Sequence, residues 1–232
     1  MLNYFFTPVL FLFFTFANPT SNNTKNLTAE VTTTSTASAA ESAYGMLDAN
    51  SLSLPEFNCF SAALEGFTRL KAQGVIKKDL LTVIDFSKSS NTKRLWIIDM
   101  AAHKVLFNTL VAHGRNSGDE FANSFSNIAS SNMSSLGFYA TGEIYNGKHG
   151  ASLKLDGLEQ GVNSNARNRA VVMHAADYVS EQFIKMHHRL GRSQGCPALP
   201  NEVNGKVINL IKGKSCLFIY HPSRKAGSSL VS

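Results

Sequence analysis

An α+β fold dominated by antiparallel β-structure is predicted by three features of this 232-residue chain. Short apolar or alternating segments recur between polar, Gly-punctuated loops, the texture of half-buried strands. Helical periodicity is confined to a few short stretches. Strands and helices do not alternate in the regular βαβ order that a parallel sheet requires.

Residues 1–17, MLNYFFTPVLFLFFTFA, carry an apolar run from Phe5 to Ala17. The run is too short to span a bilayer comfortably. It reads as a signal-peptide core with cleavage near Ala17, although no Lys or Arg precedes it. An uncleaved anchor, giving membrane attachment through this segment alone, and an apolar element of the fold are the alternatives. Residues 18–54 are rich in Ser, Thr, Asn and Ala and poor in large apolar side chains. Such a stretch buries too little area to offset its ordering entropy, so it reads as a flexible linker. Asn22-Asn23-Thr24 and Asn26-Leu27-Thr28 fit the glycosylation pattern, which matters only in a eukaryotic secretory host.

From Pro55 the pattern changes, and residues 55–222 read as one folded domain. Phe57, Phe60, Leu64, Phe67 and Leu70 recur at helical spacing up to Gly74. Leu80–Phe86 is a strand, and Arg94–Met100 with Val105–Ala112 forms a hairpin. Leu136–Thr141 and the Leu153/Leu155 segment are further strands on either side of the turn Tyr145–Gly150. Ala170–His174 is a strand, and Ala176–His188 reads as a helix. Glu202–Lys212 is the last helix, Ser215–Tyr220 the last strand, and residues 223–232 a polar tail.

The hydrophobic content of 44% suits a packed core. A net charge of +6 favours an anionic partner such as a wall polymer, a membrane surface or nucleic acid. Nucleic acid is set aside, since no basic cluster is interleaved with stacking aromatics. The three cysteines, Cys59, Cys196 and Cys216, allow one disulfide at most. Cys59 and Cys216 read as core thiols, with a bridge between them as the alternative.

The chemistry-bearing stretch is Arg169–Leu199. His174 ends an apolar strand, and Ser193-Gln194-Gly195-Cys196-Pro197 follows. A thiolate is a nucleophile, and an imidazole nearby can take and return its proton. Gly195 permits a sharp turn beside Cys196, and backbone N–H groups there could stabilise an oxyanion. A paired thiolate is expected to be more abundant at neutral pH than a free thiol of pKa about 8.5. Two alternatives stand beside this reading. A free cysteine commonly just packs. A metal could be held by His174, His187 or His188, and Cys196, but no metal-ligand spacing supports it.

These residues carry a resemblance. His174 followed by Ser193-Gln194-Gly195-Cys196 resembles the His…[Ser/Thr]-x-Gly-Cys signature of L,D-transpeptidase (YkuD-like) catalytic domains. Ala112–Gly118, Phe125–Asn127, Ser134–Tyr139, Gly147–Gly150, Leu155–Glu159 and Gly191–Pro197 are, in that order, similar to a murein L,D-transpeptidase subfamily. The resemblance spans roughly Phe57 to Tyr220. It implies a β-rich sandwich or barrel-like domain with short peripheral helices and no cofactor or metal. The implied substrate is a peptidoglycan stem peptide, with release of a terminal D-Ala and transfer of the acyl group from the Cys thioester to an amine or to water.

By position, the resemblance makes Cys196 the nucleophile and His174 the acid/base. Gly195 would help form the oxyanion site, and Ser193 would order the loop. Three departures from relatives stand out: Ala175 for a Gly after the His, Pro197 for a branched aliphatic, and Ala198 for an Arg that would bind a carboxylate. Arg192 could supply that charge instead. His149, His113, Tyr139 and Tyr145 could line the cleft. Asp177 or a backbone carbonyl could orient His174. His187 and His188 read as helix-end residues. The rival to an exported acyltransferase or carboxypeptidase is a catalytically silent wall-binding module.

Overall fold

The computed structural model describes Met1 and residues 39–224. The rest of the N-terminal apolar run, residues 18–38 and residues 225–232 lie outside the described residues. Residues 39–224 all fall within one compact unit, Thr36–Ser232.

A short helix at 39–45 is followed by α1 (Phe57–Ala72), β1 (Leu80–Asp85), β2 (Leu95–Asp99) and β3 (Lys104–Thr109). Next come β4 (Gly137–Gly147), β5 (Gly150–Gly157), β6 (Val172–Ala175) and α2 (Glu181–His187). The chain then forms β7 (Ala198–Leu199), α3 (Asn201–Ile211) and β8 (Cys216–Tyr220). The eight strands make one sheet in the order β3-β2-β1-β8-β4-β5-β6-β7. Only β1/β8 and β6/β7 are parallel pairs; the remaining neighbours are antiparallel. The two ends of this order meet. Just past β3, Ala112 bridges Ala198 of β7, and Gly114 bridges Ser193. The fold is therefore a nearly closed β-barrel with peripheral helices.

The period of two along each strand sorts side chains between two cores. Ile84, Leu217, Ile219, Tyr139, Leu153, Leu155 and Met173 share one cluster, with Val207, Ile208 and Ile211 of α3. Their strand neighbours Leu81, Val83, Cys216, Phe218, Phe138 and Ala140 face the other way. They pack against Cys59, Ala63, Phe67 and Leu70 of α1. Cys59 and Cys216 are both free, buried thiols of this second core.

Three sequence expectations need correction. The first is the linker, because residues 39–54 are not without packing. Leu47 is buried, and Tyr44, Leu52 and Leu54 lie on a cluster built around Phe60 and Trp96. The Trp96 indole N–H donates to Ser53 O at 2.9 Å. The anchoring side chains are few and widely spaced, so no periodicity announces them. The second is the helix expected over 176–188, which starts only at Glu181. Ser180 caps it, its Oγ accepting from Phe183 N–H at 3.2 Å. The third is the polar tail from 223. Arg224 Nη2 donates to the buried Glu159 at 2.8 Å, and its guanidinium lies over the Phe138 and Phe218 rings.

A chain starting at residue 55 should therefore melt about 5 °C or more below one starting at residue 39. Full burial of one large apolar side chain contributes about 1.5–3 kcal/mol, and 1 kcal/mol shifts a domain of this size by about 2–4 °C. Calorimetry of the two chains checks this; equal melting temperatures would show that the 39–54 contacts add nothing.

Candidate active site

The turn that carries Cys196, residues 193–197, is built on a second loop rather than on a regular element. Leaving β3, the chain runs through His113 and Gly114 along the 193–197 turn. Ser193 N–H donates to His113 O at 2.9 Å, and Arg115 N–H donates to Ser193 O at 2.8 Å. The Ser134 hydroxyl joins the loops, accepting from Gly114 N–H (3.0 Å) and donating to Gly195 O (3.2 Å). The approach is close enough to require glycine on both sides. A Cβ on Gly114 would lie 2.8 Å from Gly195 Cα, and one on Gly195 would lie 2.7 Å from Met133 O. Gly195 also holds φ +121, which side-chain-bearing residues rarely adopt.

Beneath the 113–118 loop sits a buried charge. Arg94 is fully buried, and its guanidinium donates to Val111 O, to Lys88 O at 2.7 Å and to His113 Nδ1 at 2.8 Å. Burial pushes Arg94 down to about 9, which leaves it charged at neutral pH. The His113 Nε2–H donates to Gly118 O at 3.3 Å. Burial, with the Arg94 charge beside it, pushes His113 down to about 4. His113 is thus a neutral structural imidazole, removed from the cleft.

Within the turn, the Ser193 hydroxyl donates to Cys196 O at 2.6 Å and accepts from Gly195 N–H at 3.0 Å. This occupies the Gly195 amide, the group expected to serve an oxyanion. The Gln194 and Cys196 amides have no partner among the described residues, and of the two the Cys196 N–H is the one on the residue that carries the thiol. The thiol is half-buried. It lies between Val172 N–H, which donates to Sγ at 3.5 Å, and Ala170 O, which accepts from it at 3.7 Å. Ala170 adopts φ +54, a left-handed conformation that turns this carbonyl at some cost in strain.

His174 ends β6, where its N–H donates to Pro197 O at 3.4 Å and its backbone pairs with Ala198. The strand that carries the imidazole is thereby bonded to the residues just after Cys196. His174 Nδ1–H donates to the neighbouring Ala175 O at 2.8 Å, which leaves Nε2 as the basic nitrogen. Asp177 does not orient the ring; its carboxylate accepts from Asn201 Nδ2 instead. Burial lowers the His174 pKa, the Ala175 bond opposes that, and the charge on His149 lowers it further. Burial raises the Cys196 thiol above its ordinary value, while the Val172 N–H and Arg169 pull it back in part. Both shifts favour the neutral thiol and the neutral imidazole, where the sequence suggests a paired thiolate.

Cys196, His174, Ser193, Arg192 and His149 line one cavity of about 520 Å³. Arg115, Lys148 and Arg169 complete a lining with four cations and no carboxylate. Arg192 is engaged with Asp119 and with Gly118 O at 3.1 Å. Arg169 is spent on the 126–135 loop, donating to Ser126 O and Met133 O, each at 2.7 Å. Arg115 and Lys148 make no side-chain bond among the described residues. Tyr139 is a correction. It is fully buried, its hydroxyl donates to Ser135 O at 3.0 Å, and it faces the barrel interior because its β4 neighbours face α1. His187 and His188 end α2 away from the cavity lining. Arg94, Ser134 and Arg169 escaped the sequence reading, since an isolated Arg or Ser carries no pattern. Among the described residues no group of three or more His, Cys, Asp or Glu could hold a metal ion.

A family profile described as L,D-transpeptidase catalytic domain matches residues 52–220. The chain belongs to that family. No curated protein matches it. Among solved structures it is similar to an L,D-transpeptidase from Mycobacterium smegmatis, at 11% identity and TM-score 0.38, over 62% of this chain and 59% of that one. It is also similar to the helical cell shape determining protein Pgp2 from Campylobacter jejuni (12% identity, TM-score 0.41, 66% and 54% covered). A third is an L,D-transpeptidase from Stackebrandtia nassauensis (11% identity, TM-score 0.38, 80% and 91% covered). This chain spans 59–61% of the length of the first three structures matched.

Two predictions follow from the site's framework. Gly195→Ala should abolish turnover while the far-UV circular dichroism stays native, since only the turn is forced to move; an active variant would show that the 193–197 path tolerates a Cβ. His113 sets an acid limit on stability. Between about pH 6.5 and 4 the unfolded chain takes up a proton that the folded chain refuses. Stability should fall by about 3 kcal/mol over that window. His113→Gln should flatten the fall in denaturant melts from pH 7 to 4; an unchanged slope would assign the loss to other groups.

Proposed function

We propose that the protein is an exported cysteine acyltransferase that acts on peptidoglycan stem peptides, releasing a terminal D-Ala. One observation carries this reading: in a member of the L,D-transpeptidase catalytic domain family, Cys196 and His174 line the same cavity while Ala175 O occupies His174 Nδ1. Four cations without a carboxylate suit a substrate that bears carboxylates of its own.

In this mechanism His174 Nε2 takes the Cys196 proton as Sγ attacks the carbonyl preceding D-Ala. The Cys196 amide stabilises the developing oxyanion. Ser193 holds the turn in place, and Gly195 contributes its conformation rather than its N–H. The C–N bond breaks, imidazolium returns the proton to the departing amine, and a thioester remains on Cys196. An amine of a second stem, or water, attacks the thioester as His174 Nε2 takes its proton; the C–S bond breaks, the proton passes to the departing Sγ, and the acceptor alone separates transpeptidase from carboxypeptidase action. Because both groups rest neutral, the proton transfers as the bond forms, and no resting thiolate is needed. Arg192 flanks the donor. Residues 1–17 would supply the export signal that such a substrate requires.

The test is D-Ala release from a tetrapeptide stem, read by mass spectrometry of the muropeptides. Cys196→Ala should abolish release, and His174→Ala should lower it by at least about a hundredfold, the scale for a positioned acid/base. His187→Ala and His188→Ala should leave it intact, and EDTA should have no effect. Loss with EDTA and recovery with zinc would move the reading to a metal site. Iodoacetamide should modify Cys196 slowly at pH 6–7, with the rate rising above about pH 8.5. Fast alkylation at pH 6 would show a resting thiolate and contradict the neutral pair.

A further inference from the structure

The tip of the β4–β5 hairpin has no role in the steps above, yet it forms part of the cleft wall. Gly147 pairs with Gly150, so Lys148 and His149 make a two-residue turn. The His149 ring lies on the His174 ring, with centroids 4.5 Å apart and planes 22° apart. His149 is otherwise exposed, and no hydrogen bond among the described residues holds it there.

We propose that His149 is a positioning residue for His174, its ring laid across one face of the imidazole to fix the plane in which Nε2 is presented to the thiol. This rests on the reading of His174 as the base for Cys196. His174 has one in-plane anchor, the bond from Nδ1 to Ala175 O. A ring torsion of this type is broad, and one hydrogen bond leaves the ring free to rock about it. A flat partner on the open face removes that freedom, and a misplacement of about 1 Å in a reacting group can cost about a hundredfold in rate.

The stack has an electrostatic consequence as well. Two imidazoles face to face resist holding two protons, so a proton on His149 favours the neutral, basic form of His174. The other ionisable groups around this cavity are Cys196 of the turn, Tyr178 after β6, Tyr145 and Lys148 of the hairpin, and Arg115, Arg169 and Arg192 of the loops. With no carboxylate among them, nothing in the lining works against His149 by favouring a protonated His174.

The experiment compares the wild-type chain with His149→Phe, which keeps a flat partner without charge, and His149→Ala, which removes it. Both kcat and KM for D-Ala release are followed against pH, and ring-labelled NMR titrates His174. His149→Ala is expected to lower kcat about tenfold with KM within about twofold. His149→Phe is expected to keep kcat within about threefold on the plateau. In both variants the acid limb of kcat/KM and the NMR titration of His174 should move to higher pH, because the repulsion between two protonated rings has been removed. A raised KM with unchanged kcat would overturn the proposal and make His149 a substrate contact. Variants indistinguishable from wild type in rate and titration would also overturn it. If wild type releases no D-Ala, the acyltransferase reading fails. The NMR then decides the stack alone: an upward shift in His149→Phe upholds it, and an unmoved titration sinks it.

Discussion

The site depends on the seating of one turn, residues 193–197, against the loop that leaves β3. That contact is backbone to backbone: Gly114 has no Cβ to hold Gly195 away, and Gly195 in turn has none to meet Met133 on its other side. A loop that accepts such an approach must itself be rigid. Its rigidity comes from the buried Arg94, whose charge is tolerable only because Val111, Lys88 and His113 together satisfy the guanidinium. Removing one of these acceptors would leave part of a charge buried without a partner, at several times the cost of an ordinary lost hydrogen bond. Arg94 is thus joined to the Cys196 turn by hydrogen bonds through His113 and Ser193, without lining the cavity.

The same contact closes the barrel. The Ala112–Ala198 bridge joins the β3 end of the sheet to β7, and β7 pairs in parallel with β6. His174 ends β6 and Cys196 precedes β7, so the strands that close the barrel also set the separation of imidazole and thiol. The fold and the candidate chemistry share one set of hydrogen bonds. This accounts for a site built on loops whose parts make so many bonds to one another.

Much of the architecture was legible in the sequence because β1, the first half of β4 and β8 are short apolar runs between polar loops, the mark of strands buried on both faces. The Ser-Gln-Gly-Cys turn and the strand-end His174 were legible because thiol, imidazole and glycine have few other reasons to recur in that order. The packing of residues 39–54 was hidden, since Leu47, Leu52 and Leu54 follow neither helical nor strand spacing. Tyr139 misled because motif membership says nothing about which face of a strand a residue takes; Phe138 and Ala140 against α1 force it inward. Protonation was hidden too. A Cys and a His near one another in sequence suggest an ion pair, and only their burial argues for the neutral forms.

The position two residues after Cys196 shows how packing and charge trade places here. The resemblance implies an Arg there in many relatives; Ala198 is fully buried in β7, in a cluster with Leu110, Val179 and Leu190. A guanidinium in that space would be desolvated among apolar side chains, with the barrel-closing bridge to Ala112 on one side and His174 on the other. The charge is therefore not replaced in place. The cleft's cations come from four other segments, and those segments differ in what they leave available. Arg169 and Arg192 are committed to loop oxygens and to Asp119, so they stiffen the walls. Arg115 follows the glycine that seats the nucleophile turn, and Lys148 precedes the histidine stacked on His174. These two keep their side-chain charge uncommitted among the described residues, so the charge open to an anion in this cavity comes from the loop after β3 and from the β4–β5 hairpin.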